Sequence, residues 1–502
     1  MSGKDLLLVY PSWIDSNSIS GYFSRKAAIF PPLGLCSLAA ILEKEGYSVN
    51  IIDAQARKMS FDDLIAAILN DHPDILGITA SSPYFENAVK IASEIKKKNP
   101  GIVVMVGGIH MSIQKEEAMR DCIDFGFVGE SETSLLQFME WYQTQNSEPS
   151  MIKGLLYRWN SDIRFTGSSA PIEDLDSLPF PAFHLLDMND YMIGTSGGRV
   201  RVGAIMTTRG CPFQCIFCAP VAGYYIRRHS PQYVLDLIKM MIHKFEIKHF
   251  FFFDDTLTLD RKHIEKICDL IISENLDITF EGSTRANLID EPLVELMYRA
   301  GLRRMSFGLE SANENVRLLM KKNVPLYSYI EANQITNKFG IETLNSCMIG
   351  LPGETIDSIR ETLAFLRFFS KDIQQANLSI ATPYPGTELA KMAMEGNNGL
   401  LLLTNDLNKL KRYGVAVMQV GDLKSDQLVQ MQNDAIVSIH MAPSRWPIVV
   451  RKFGWWGLFL TFYRFLKALP RIIVNENRFF FFRKSDFLSW RKWKTQMKNV
   501  IE

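Results

Sequence analysis

Three cysteines, Cys211, Cys215 and Cys218, fall within eight residues of a 502-residue chain. Thiolates at C-x3-C-x2-C spacing can close on one metal centre, and no fourth Cys or His stands nearby at zinc-finger spacing. Soft ligands of this kind favour zinc or iron–sulfur chemistry. A [4Fe–4S] cluster held by only three cysteines keeps one iron open to an external ligand, and that iron is where chemistry can occur. The other four cysteines, Cys36, Cys122, Cys268 and Cys347, stand alone in apolar or mixed runs and read as buried small hydrophobes. Seven cysteines are odd in number and too few for a disulfide scaffold. The N-terminus lacks a signal-peptide layout, and no uncharged apolar run of transmembrane length precedes residue 450, so the chain reads as reducing and cytoplasmic.

A site of this kind needs a rigid frame. Residues 5–145 alternate apolar runs (Leu6–Tyr10, Val49–Ile52, Ile75–Thr79, Ile102–Val106, Ile123–Val128) with amphipathic helical stretches. Continuous Val, Ile and Leu runs suit strands buried on both faces, so this part is predicted to be a doubly wound, flavodoxin-like parallel sheet. Ligands of such sheets bind at the carboxyl ends of the strands, and small or polar residues stand there: Pro11, Ser81 and Ser82, Gly107 and Gly108, Gly129 and Glu130. A second alternating region over about 202–385 has six strand–helix units, which fits a partial (β/α)6 barrel. The cysteines occupy its first βα loop. Domain boundaries are predicted at 1–148, a linker over 149–198, the barrel over 199–390, and a helical C-terminal region over 391–502.

The cysteines, with Phe217, match the C-x3-C-x-aromatic-C signature, and here the sequence resembles the radical S-adenosylmethionine (SAM) enzymes. In that superfamily SAM chelates the open iron, and reduction cleaves it to a 5′-deoxyadenosyl radical. The protein supplies the cluster, positions SAM and shields the radical from water. The resemblance implies SAM contacts at successive strand ends. These are Asp254, where many relatives carry a Gly-Gly-Glu turn; Ser283 and Arg285, the latter suited to the SAM carboxylate; Glu310, for its ribose or amine; and Gly350, in an adenine-contacting turn. No catalytic side chain is assigned.

A flavodoxin-like sheet ahead of such a barrel resembles the cobalamin-binding class, which includes radical methylases and the anaerobic oxidative cyclase of bacteriochlorophyll synthesis. Its recurrent features are Pro31-Pro32-Leu33-Gly34-Leu35, Gly107-Gly108-Ile109-His110 and Val128-Gly129-Glu130-Ser131-Glu132. The Asp-x-His-x-x-Gly motif that supplies a cobalt-ligating His elsewhere is absent, so base-off cobalamin without a protein His is expected. His110 is then expected to orient a loop or a polar part of the ligand. A tRNA methylthiotransferase would need three N-terminal cysteines, and only Cys36 and Cys122 are present.

Charge is uneven. Overall 55 basic residues balance 55 acidic ones, yet Ser444–Glu502 holds 13 Lys and Arg against three acids, with five of the eight Trp. This +10 segment sits on a body of −10. Aromatic and basic residues together suit a helix in the headgroup layer of an anionic bilayer, over residues 446–495; a helical cap on the barrel is the alternative. No nucleic-acid motif accompanies the charge. The resulting expectation is a cobalamin-dependent radical SAM methylase acting on a small-molecule or lipid-like substrate, with an external donor of flavodoxin or ferredoxin type. It would be cytoplasmic or peripheral on the inner membrane face. Oxidative cyclisation is the second expectation, and a non-catalytic cluster and corrin binding or electron-transfer protein the third.

Overall fold

The computed structural model describes residues 5–12, 28–144, 148–195, 198–219, 221–440, 445–447, 450, 454–459, 462, 463 and 466. Most of the basic aromatic tail, including Trp490 and Trp493, lies outside the described residues. The chain forms two compact units: Met1–Gly194 with Arg199–Pro212 and Pro220–His249, and Thr195–Gly198 with Phe213–Ala219 and Phe250–Glu502.

In the first unit, parallel strands β1 (Leu6–Tyr10), β2 (Val49–Asp53), β3 (Ile75–Thr79), β4 (Val103–Gly107) and β5 (Phe125–Phe127) run in the order β2-β1-β3-β4-β5. This is the flavodoxin-like order. The helices between them are α1 (Leu33–Lys44), α2 (Phe61–Asp71), α3 (Phe85–Lys98) and the short α4 (Ile109–Gln114), with α5 (Glu132–Thr144) following β5. Helix α1 packs on α5 and α2 on α3. Leu6, Leu7, Val9, Ile75 and Val104 are fully buried, as strands covered on both faces require.

The segment expected to be linker continues the sheet instead. Strands β6 (Leu155–Trp159) and β7 (Asp162–Phe165) form an antiparallel hairpin that extends it to seven strands. Asn160 and Ser161 connect them, both at positive φ (50° and 73°), the backbone a two-residue hairpin turn demands. After β8 (Met192–Thr195), β9 (Gly198–Arg201) and β10 (Gly203–Ile205), the two-residue strands β11 (Thr208–Arg209) and β12 (Arg227–Arg228) pair antiparallel around the cysteine loop. Helix α6 (Pro231–Phe245) follows, capped by Ser230 with Pro231 in its first turn. This stretch belongs to the first unit because it bonds to the segment before it: Ser230 N to Asp176 Oδ1 at 2.9 Å, and Tyr233 Oη to the Pro179 carbonyl at 3.2 Å.

In the second unit, β13 (His249–Phe252), β14 (Thr279–Thr284), β15 (Leu302–Glu310), β16 (Glu342–Ile349) and β17 (Gln375–Ile380) lie side by side in chain order. Between them run α7 (Arg261–Ser273), α8 (Glu291–Arg299), α9 (Glu314–Leu319), α10 (Leu326–Lys338) and α11 (Ile356–Phe368). This is the expected run of strand–helix units of a partial barrel. Along β16, Thr343, Asn345, Cys347 and Ile349 are buried, whereas Leu344, Ser346 and Met348 are half-exposed. One face of the strand therefore packs closely while the other keeps open space. Helix α12 (Glu388–Glu395), strands β18 (Leu400–Leu402) and β19 (Met418–Val420), and helix α13 (Ser425–His440) follow.

Candidate active site

The cysteine loop is built on backbone that only particular residues allow. Gly210 adopts φ +99°, and a Cβ there would stand 2.1 Å from the Tyr225 carbonyl oxygen. Cys211 N–H donates to the Gly223 carbonyl at 3.1 Å and Cys218 N–H to the Cys215 carbonyl at 3.0 Å. Between Cys215 and Cys218, Ile216 is buried against Met320, Leu351 and Leu389, and its backbone bonds to Met320 and Leu389. Cys211 and Cys215 are half-buried and Cys218 is exposed. Among the described residues no three His, Cys, Asp or Glu side chains stand close enough to share one metal ion. A four-iron cluster takes each thiolate on a different iron, so its ligands need not converge on a single point.

The strand ends of the second unit carry the residues expected to meet SAM. Arg285 follows β14 and lies with its guanidinium 3.7 Å from the ring of Phe213, a residue of the cysteine loop. Its Nε is buried without a partner. A buried N–H left unpaired costs free energy, and a carboxylate would satisfy it. The carbonyl of Ser283, itself half-exposed, accepts from Leu257 N–H at 2.9 Å. Asp254 is buried just after β13.

Glu310 ends β15 at φ +61°, where the pairing with β16 shifts register. An irregularity of this kind re-aims a side chain. Its Oε1 accepts from Lys322 Nζ at 2.8 Å, with both side chains 9% exposed. A Cβ on Gly308 would meet both partners at 2.4 Å, so glycine leaves room for the pair. The carboxylate holds Lys322 above the ordinary lysine range despite its burial. Tyr329 Oη donates to the Gly308 carbonyl at 2.8 Å and steadies the same turn.

Gly350, at φ +84°, begins the turn after β16. Its N–H and that of Leu351 donate to Glu354 Oε2 at 2.6 and 3.1 Å. Burial pushes the Glu354 carboxyl up to about 8, and its Oε1 is buried without a partner. Lys322 and Glu354 are functional-site residues that the sequence motifs do not mark. The four-residue spacing from Gly350 to Glu354, just after a strand, is the signal that points to the second.

In the first unit the loops after β3, β4 and β5 are laced into one rim. Ala80 N–H donates to the Gly107 carbonyl at 2.9 Å and His110 N–H to the Ala80 carbonyl at 3.2 Å. Ser112 Oγ donates to the Gly108 carbonyl and accepts from Gly129 N–H, both at 2.9 Å. Gly108, at φ +100°, passes so near that a Cβ would lie 2.8 Å from the Ala80 oxygen. His110 is buried, with Nδ1 3.0 Å from the hydroxyl of buried Ser82. Burial, with Arg120 adding to it, lowers its ring to about 4, so it is neutral at physiological pH. Pro11 is buried and Ser81 half-exposed at the same edge. Below the rim a small hollow, open on one side, is lined by Leu8, Leu35, Gly77, Gly107, Phe127 and Leu135 among others.

The Glu130 carboxylate is committed within the chain. It receives Arg227 Nη1 at 2.8 Å and Nη2 at 2.5 Å, with Arg209 Nη1 at 3.4 Å, while Glu132 takes Arg209 at 2.7 Å.

Comparison with known proteins decides the family. The radical SAM superfamily profile matches residues 205–366, and the B12 binding domain profile matches residues 22–138. The chain is 33% identical over 417 residues to an uncharacterized methyltransferase, PH0819, of Pyrococcus horikoshii, covering 82% of this chain and 88% of that one. It belongs to the B12-binding radical SAM enzymes. It is also 29% identical to the anaerobic magnesium-protoporphyrin IX monomethyl ester cyclase of Rubrivivax gelatinosus, over 72% of this chain and 66% of the relative. A solved structure of the cobalamin-dependent S-adenosylmethionine radical enzyme OxsB, with aqua-cobalamin and S-adenosylmethionine bound, shares the fold. The TM-score is 0.72 at 16% identity, over 99% of this chain and 75% of OxsB. As a member of this family the protein is an enzyme whose cofactors are a [4Fe–4S] cluster, SAM and cobalamin.

The residues present fit these groups. Three accessible thiols stand on one loop, an unpaired buried donor on Arg285 awaits an anion, and a glycine-lined cavity lies below a rim of small residues.

Proposed function

We propose that this radical SAM enzyme transfers a methyl group to an unactivated carbon of a small-molecule substrate. The carrying observation is Arg285, stacked on Phe213 of the cysteine loop with a buried Nε and no partner. In this reading Cys211, Cys215 and Cys218 hold the cluster, and Arg285 takes the SAM carboxylate. Glu310, braced by Lys322, offers its second oxygen to the ribose or amine, and the Gly350 turn, held by Glu354, meets the adenine. Ser283 and Asp254 complete the polar surround. When bound, the cluster supplies the electron that cleaves SAM, and cobalamin carries the methyl group. The rim of Pro11, Ser81, Ser82, Gly107, Gly108, His110 and Gly129 is proposed to seat cobalamin. The apolar hollow below the rim is proposed to take part of the same ligand. Neutral His110 orients the rim through Ser82.

Methyltransferase naming of the Pyrococcus relative supports transfer of a methyl group. The cyclase relative favours a second reading, oxidative ring formation. Reconstituted, reduced protein supplied with cobalamin and SAM should release 5′-deoxyadenosine, and Cys215→Ala should abolish this. Arg285→Gln should raise the SAM KM by about tenfold or more, the loss of one charge-assisted pair. Release by Cys215→Ala at the wild-type rate would defeat the assignment. S-adenosylhomocysteine formed alongside product marks methyl transfer; its absence marks the cyclase reading. An electron donor of flavodoxin or ferredoxin type is proposed to reduce the cluster.

We also propose a peripheral membrane contact over residues 446–495, on the cytoplasmic side, bringing a lipid-like substrate within reach. Among the described residues no helix is long and apolar enough to cross a membrane. Trp455, Trp456 and Phe459 are 76%, 64% and 55% exposed, and the segment is strongly basic, as interfacial helices are. Co-sedimentation with anionic liposomes should be strong for the full chain and weak for residues 1–446. Equal, negligible pelleting would remove the contact.

A further inference from the structure

The loop after β5 faces two ways. Ser131 lines the cavity of the first sheet, whereas its neighbours Glu130 and Glu132 turn to Arg209 and Arg227. Those arginines face each other as the inner rung of the β11–β12 ladder, which closes around the loop beginning at Gly210 and Cys211. A ladder of two residues per strand cannot by itself hold a seventeen-residue excursion in one geometry. Something else must fix it.

The network has the properties of a geometric lock. Arg227 is 2% exposed and Glu130 15%, and the pair is bidentate. The remaining groups are also satisfied. Arg227 Nη1 donates to the Ile172 carbonyl at 2.8 Å and Nη2 to the Ala222 carbonyl at 3.2 Å, while Ile172 N–H donates to Glu130 Oε2 at 3.2 Å. Two guanidinium groups balance two carboxylates. Buried ion pairs add little net stability, but a fully paired fork fixes position sharply, and removing one partner is strongly unfavourable. Burial works to raise the Glu130 carboxyl, but the Arg227 and Arg209 guanidinium groups hold it below the usual carboxylate range.

We propose that Glu130, Glu132, Arg209 and Arg227 are positioning residues that lock the hairpin carrying Cys211 to the loop beside the cobalamin cavity, so that filling the cavity orders the first cluster ligand. The inference rests on the reading above, in which Cys211 ligates the cluster and the cavity receives cobalamin. It moves Glu130 from cofactor contact to lock. Ser131 carries the state of the cavity, and Glu130 transmits it over one residue.

The test is hydrogen–deuterium exchange of residues 208–228 in cluster-free full-length protein, with and without added hydroxocobalamin. In wild type, cobalamin should slow exchange of this peptide. Arg227→Met and Glu130→Gln should each speed exchange about tenfold or more and abolish the response, the mark of a local opening rather than global unfolding. Both should keep the corrin band after desalting, and both should take up less iron on reconstitution. Arg209→Met, at the more exposed edge, gives a milder version should either buried variant fail to fold. Unchanged exchange in Arg227→Met and Arg209→Met would overturn the lock, as would loss of cobalamin by Glu130→Gln alone. Failure of wild type to retain cobalamin would overturn the coupling and the cavity reading together, while exchange in the cofactor-free variants would still decide the lock itself.

Discussion

A carboxyl group enclosed with only two backbone donors is easier to keep neutral than charged, and Glu354 is such a group. Its folded value near 8 lies above the ordinary glutamate value of 4.5. Between these two pH values the unfolded chain has already lost a proton that the folded chain keeps. Stability contributed here is therefore full below about 4.5 and is lost as pH rises toward 8. Glu354→Gln should flatten that slope in urea titrations at pH 5 and pH 8. Glu354→Ala should orphan two buried N–H groups at a cost of about 1–3 kcal/mol each, and should weaken SAM binding through the Gly350 turn. Lys322→Met would leave Glu310 buried and uncompensated, a loss of about 3–5 kcal/mol measurable by thermal melting, with Lys322→Arg milder. Lys322 was hidden in the sequence for a physical reason. Beside Lys321 it reads as a solvated charge run, yet Lys321 pairs with Glu388 at the surface while Lys322 turns inward. The three cysteines stand out as candidates by their spacing, and Arg285 by its place at a strand end in the family resemblance.

Secondary structure followed hydrophobic periodicity closely where strands are long and buried, as in β1 and β3, whose ends match the predicted ones. The β6–β7 hairpin leaves little trace in the sequence because its turn is Asn160-Ser161 rather than an Asn-Gly or Asp-Gly pair, and prolines and acids follow it. The ladder around the cysteine loop was invisible too, since strands of two residues have no periodicity to read. At this scale Gly210 is the decisive residue. Gly210→Ala must move the Tyr225 carbonyl or abandon the left-handed backbone, at a cost of about 1–3 kcal/mol. Iron bound after reconstitution should fall sharply while the far-ultraviolet circular dichroism stays unchanged; full iron uptake would show that the loop tolerates a shift.

Across the whole chain, the opposition of an acidic body and a basic tail invites removal of the tail, and the position of the cut matters. Arg445 is 2% exposed and donates to the carbonyls of Leu366, Ile373, Gln374 and Ile439. It belongs to the second unit's interior, although by composition it looks like the first cation of the tail. A chain ending at residue 443 would leave those four carbonyls without their donor and should melt at a lower temperature than one ending at 446. Scanning calorimetry of the two truncations separates this loss from any effect of the tail itself.

Gly77 lies in the middle of β3, where its φ is one that any residue accepts, yet a Cβ there would stand 2.8 Å from Leu8 Cδ2. The space beneath the rim thus exists partly because a single hydrogen occupies a place where alanine would fit the backbone. One added methyl would drive the leucine into the hollow and shrink it without disturbing a strand. A descendant of this fold could give up its vitamin by that one exchange and keep every strand of the sheet.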